Sequence, residues 1–184
     1  EGDANKIAYH LPAMGGLTVG ASFADSGAVG STDTTAFGFN YKMDAGGTAV
    51  TLGGASATTE ATTKDKDMQN LGIKIVSGNI SFIASQSSEE ADDEDISNTG
   101  AAVSYKMANG MVLVAHTMKS EDDLDAGEEY TKSGVELQYV VAAGLTAVIN
   151  VDDYEYTAAT TPNATGTATS DSGTVSKLTL KASF

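Results

Sequence analysis

The chain has 184 residues, no cysteine, and 25 acidic against 10 basic side chains, for a formal charge of −15. The missing cysteines exclude disulfide scaffolds, thiolate zinc centres and cysteine nucleophiles. So acidic a surface repels nucleic acid, whose binding works by neutralising phosphates with Lys and Arg. Hydrophobic residues make up 41 %, too many for a disordered chain.

No stretch approaches the roughly 18 consecutive apolar residues of a membrane helix. That test does not see strands, which hide apolar residues in alternation. The first residues, EGDANKIAYH, carry neither the basic nor the apolar region of a secretory signal. Alternation then predicts about eleven strands: 4–11, 16–24, 34–43, 48–58, 68–76, 80–88, 97–107, 111–120, 130–141, 145–156 and 173–184.

The alternation is plain in three segments. In AFGFNYKM, Phe37, Phe39, Tyr41 and Met43 share one wall, and Gly38, Asn40 and Lys42 the other. In GAAVSYKM the walls are Ala101, Val103, Tyr105 and Met107 against Ala102, Ser104 and Lys106. In GVELQYV and the residue after it they are Val135, Leu137, Tyr139 and Val141 against Glu136, Gln138 and Val140. Successive strand residues point to opposite faces, so each segment has an apolar and a polar wall.

Two kinds of connection join the strands. Tight ones begin near Pro12, Asp44, Ser77, Ala108 and Ala142, where Gly or Asn supplies a hairpin backbone. They recur about every 32 residues, a two-strand repeat. Long polar ones lie between them, at 25–33, 59–67, 89–96, 121–129 and 157–172. The expected fold is all-β: an up-and-down antiparallel sheet with a smooth end and a ragged end, in one domain over 1–184.

Three features favour hydrocarbon over a soluble core on the apolar wall. Tyr9, Tyr41, Tyr105 and Tyr139 each stand three positions before a tight turn, the placement of an interfacial aromatic girdle. Acids crowd the long connections, whereas Asp44 is the one acid in a tight turn. Small residues and lysines build the polar wall, which suits a solvated lumen.

The last segment, TVSKLTLKASF, ends on Phe184 with Leu180 and Leu178 on its face. It resembles the C-terminal strand of bacterial outer-membrane proteins, in which a terminal aromatic and alternating apolar residues form the assembly signal for the barrel-assembly machinery. Ser176 departs from the fullest form of that pattern. With the hairpin repeat, the chain resembles a Gram-negative general porin of the alphaproteobacterial type. The resemblance implies a transmembrane β-barrel of 16 strands, a homotrimer, outer-membrane lipid as surroundings and a constriction loop to which no segment here corresponds. It also implies that tight turns are periplasmic and long acidic loops external. Phe184 then ends an inward-running strand, and the first of eleven strands runs inward too, so the chain is expected to lack about five N-terminal strands of such a barrel.

A search for chemistry finds little. His10 and His116 lie far apart, without a second ligand at metal spacing or a recognisable triad partner. The acidic runs lack the ligand spacing of a calcium loop. No nucleotide or hydrolase signature occurs. The expectation is therefore no enzyme, no catalytic residue, no metal and no cofactor. It is instead a water-filled channel for passive diffusion of ions and small hydrophilic solutes. The competing reading is a non-pore structural or adhesive acidic β-protein, of the outer membrane or secreted. Lys6, Lys42, Lys74, Lys106, Glu136, Gln138, Lys177 and Lys181 are expected to line the pore near the tight-turn end, and the net charge leans towards mild cation preference.

Overall fold

The computed structural model describes residues 5–25, 32–61, 63–92, 95–124, 128–157 and 170–182. Eleven strands follow one another: β1 (Asn5–His10), β2 (Leu17–Asp25), β3 (Thr34–Ala45), β4 (Thr48–Thr59), β5 (Lys66–Ser77), β6 (Ile80–Glu90), β7 (Asp95–Lys106), β8 (Val112–Asp122), β9 (Glu128–Ala142), β10 (Leu145–Thr157) and β11 (Asp171–Ala182). They form one open sheet in sequence order, every pair antiparallel. Each strand pairs only with its sequence neighbours. This is the expected up-and-down all-β topology.

The tight turns lie where their residues predict. Ala45 pairs with Thr48 across Gly46 and Gly47, whose φ angles of 62° and 85° are left-handed. Two consecutive positive φ values make the turn whose twist matches that of the flanking strands. At the first turn Met14 bridges Leu17. Between β9 and β10 the register slips after Leu145↔Ala142, so that Thr146 pairs with Val140 and Val141 is bulged out.

The strands run further into the long connections than alternation alone predicts. Glu89 and Glu90 belong to β6, Asp95 and Ile96 to β7, Glu121 and Asp122 to β8, and Glu128 and Glu129 to β9. Their charge reads as loop, but their partners account for the pairing. Glu90 lies 2.8 Å from Lys64, Glu89 contacts Lys66, and Lys119 reaches Glu121 at 2.7 Å and Glu129 at 2.9 Å. The acids thus mark one end of the sheet rather than long loops. In the exposed connection before β5, hydrogen bonding to Glu90 holds the Lys64 ammonium above its ordinary pKa.

The sheet has almost no protein core. Among the described residues, only Val148 and Asp152 are buried, while Ile7 is 74 % exposed and Leu178 67 % exposed. A single layer with a bare apolar face needs cover from outside itself.

Candidate functional site

Antiparallel partners share a face, so the register assigns every strand side chain to one of two walls. One wall carries Ile7, Tyr9, Phe23, Phe37, Tyr41, Met43, Leu71, Phe82, Tyr105, Leu113, Tyr139, Ile149, Leu178 and Leu180. Most of these are exposed. The four tyrosines lie on this wall, each within the last five residues of its strand at the tight-turn end. Phe184 lies outside the described residues; Leu178 and Leu180 stand on the apolar wall of β11.

All eight residues singled out for the polar wall do share the opposite face: Lys6, Lys42, Lys74, Lys106, Glu136, Gln138, Lys177 and Lys181. Their heights differ from the expectation at two positions. Lys6 pairs with Ala24, next to the long-connection end of β2, and Lys177 pairs with Asn150 in the middle of β10. Gln138 donates to Glu136 Oε1 at 2.6 Å, which ties those two together on β9.

The lysines divide by partner. Lys64, Lys66, Lys119 and Lys132 have carboxylates. Lys6, Lys42, Lys74, Lys106, Lys177 and Lys181 have no ionic partner among the described residues. Those six are the lysines placed on the polar wall from the sequence. On the same wall in its tight-turn half, the acids are Asp44 and Glu136.

A second constellation was not visible in the sequence. Asp152 on β10 is 3 % exposed, yet polar partners, one of them an ammonium group, surround it. Lys132 Nζ lies 2.7 Å from its Oδ2, His116 Nε2 lies 2.9 Å from its Oδ1, and Asn150 donates to that Oδ1 at 3.1 Å. A carboxylate can be buried only with such compensation. His116 is on β8, two strands away, and Gly134 of β9 pairs with both residues. A Cβ on Gly134 would stand 2.0 Å from Asp152 Oδ1 and 2.6 Å from the Val151 carbonyl oxygen. The missing side chain is therefore what lets Asp152 cross β9. His116, expected to be a lone structural histidine, is one arm of this clasp.

The same device recurs on the polar wall. The His10 ring lies over Gly20, the Asn40 amide over Gly53, and the Tyr154 ring over Gly173. Above the clasp, Tyr130 stacks on Tyr154 with ring centroids 6.4 Å apart. Tyr154 and Tyr156 donate to Asp171 at 3.0 Å and Glu128 at 2.9 Å. Large side chains lie flat along this wall instead of projecting from it. Among the described residues, no three His, Asp or Glu groups converge as a metal set.

Solved structures share this sheet. Acinetobacter baumannii OccAB2 superposes with a TM-score of 0.67 at 10 % identity, over 95 % of this chain and 54 % of that one. A porin refined at 1.8 Å resolution superposes with a TM-score of 0.66 at 17 % identity, over 99 % of this chain and 62 % of that one. The chain thus spans less than two thirds of either, and at such identities the likeness is one of fold. No curated protein matches it in sequence. The family model for the Gram-negative porin matches residues 1–159. A two-walled antiparallel sheet with a bare apolar face, matched by that model over most of its length, makes this chain a member of the Gram-negative porin family.

Proposed function

We propose that the polar wall faces the water-filled lumen of an outer-membrane pore, and that the apolar wall faces lipid. Ions and small hydrophilic solutes would pass down their gradients without turnover or cofactor. The supporting observation is the sorting of charge between walls: the six lysines without a counter-ion among the described residues all share the wall opposite the exposed apolar belt. Ammonium groups need water, and the polar wall offers it. Twelve-residue strands such as β3, at about 3.3 Å per residue and a tilt of about 40°, rise about 30 Å, enough to cross the hydrocarbon layer.

In this reading the field is axial. Acids gather at the long-connection end, proposed to be external, and Lys42, Lys74, Lys106 and Lys181 line the wall towards the tight turns, proposed to be periplasmic. The net charge leans towards cations, but the lysines on the wall oppose it, so cations collect at one mouth and meet a cationic stretch beyond it. Such a pore rectifies. A trimer, a 16-strand barrel in one domain and recognition of β11 by the barrel-assembly machinery belong to the same proposal, supported by family likeness and by Leu178 and Leu180.

Planar-bilayer recording of the natural full-length protein tests it. The expected result is stepwise conductance with different currents at opposite voltages. A protein that remains soluble without detergent and opens no steps would refute the pore.

A further inference from the structure

We infer that the polar wall of β3–β7 holds a binding groove for a hydroxyl-rich organic anion of the sugar-phosphate type. The inference rests on that wall facing the lumen. A depression of about 580 Å³ is open on this wall, lined by Asn40, Thr51, Asn70, Ser87, Asn98 and Lys74 among others. Its depth comes from Gly53, Gly72 and Gly100, which share one register row with Asn40 and Ser85.

The polar groups are arranged by kind. In the row towards the long-connection end, Asn70 and Asn98 flank Ser87, two strand spacings or about 10 Å apart. In the row on the tight-turn side, Lys42 and Lys74 flank Thr51 in the same way. The two rows are four residues apart along β5, from Asn70 to Lys74, about 13 Å of backbone, and a lysine side chain closes about half of that. Amide and hydroxyl groups therefore face a pair of ammonium groups across a low floor of glycine backbone between Asn40 and Ser85.

These side chains are also unspent. Among the described residues, those of Asn40, Asn70, Asn98, Thr51, Lys42 and Lys74 make no hydrogen bond or ion pair with the protein. The contrast is Ser81 and Ser104, bonded to each other at 2.6 Å one row below, and the Asp152 clasp, in which every charge is answered. Free amides at one end match hydroxyls, which both donate and accept. Free ammonium groups at the other match a phosphate or carboxylate. Neither end alone uses the groove, and an uncharged sugar leaves the lysines unanswered.

Isothermal titration of the natural full-length protein in detergent micelles tests this with three probes: glucose 6-phosphate, glucose and inorganic phosphate. Glucose 6-phosphate is expected to bind saturably, and each fragment about tenfold more weakly. Lys42→Gln with Lys74→Gln should weaken glucose 6-phosphate and phosphate by about fivefold or more and leave glucose unchanged. Asn70→Ala with Asn98→Ala should weaken glucose 6-phosphate and leave phosphate unchanged. Circular dichroism checks that each variant keeps its sheet. Phosphate binding as tightly as glucose 6-phosphate, or indifference to the lysine pair, overturns the groove. Conductance in KCl is recorded beside it. A conducting protein that binds none of the probes overturns the groove alone, whereas binding without conductance upholds the groove and overturns the pore.

Discussion

Between β2 and β7 the polar wall carries Gly20, Gly38, Gly53, Gly72 and Gly100, with Lys42, Lys74 and Lys106 free of ionic partners among the described residues. Between β8 and β11 the same wall carries His116, Lys132, Asp152 and Tyr154, held to one another or to neighbours. The first half presents unspent groups over bare backbone. The second spends these charges on itself and, of its lysines among the described residues, leaves only Lys177 and Lys181 of β11 without an ionic partner. Both halves keep tight turns, antiparallel pairing and the apolar wall. The two halves thus agree in their apolar wall and turns and differ on the polar wall.

The sharpest way to break the contrast is to fill the gap that permits the clasp. Gly134→Val pushes against Asp152 and the Val151 carbonyl. It should cost about 3 kcal/mol through overpacking and a buried carboxylate cut off from His116, read as earlier loss of sheet signal on urea titration in micelles. Unchanged stability would mean that the clasp is ornamental.

Next comes the free half. Lys42→Glu with Lys74→Glu and Lys106→Glu should move the reversal potential in a KCl gradient strongly towards cations, by about tenfold in permeability ratio. Lys119→Glu, on the apolar-wall side of β8, serves as control and should move it little. Equal shifts would remove the distinction between walls.

A smaller shift, of opposite sign, is expected when the spent half releases its charge. Asp152→Asn leaves Lys132 without its carboxylate and should favour chloride by about twofold. The same change at Asp153, which faces the other wall, should not.

The smallest effect probes the outward wall. The chain has no tryptophan, so Tyr105→Trp is a single reporter with about 1 kcal/mol or less of change in stability. Its fluorescence should be quenched by lipids brominated near the headgroup more than by those brominated deep in the chain. Gln138→Trp, on the polar wall, should be quenched by neither.

Much of this was legible beforehand, for physical reasons. Strand number, turn positions and the two walls follow from a period of two and from turn glycines, both local signals. The eight polar-wall residues share one face because alternation alone decides faces. Acidic strand ends were read as loop, since Glu89 and Glu90 gain their place from Lys66 and Lys64 across β5. The clasp was hidden because it needs register to the residue. A perfect hairpin from Ala142↔Leu145 would set Asp152 opposite Val135; the bulge at Val141 sets it opposite Gly134 instead. Bulges are not announced by composition.

Since each strand pairs its backbone only with the strands beside it in sequence, a hairpin of this sheet is a replaceable stave. Adding or removing one would alter the girth of the cylinder by a fixed increment and leave distant staves undisturbed. Bore diameter can thus evolve in discrete steps, independently of the groups that decorate the bore.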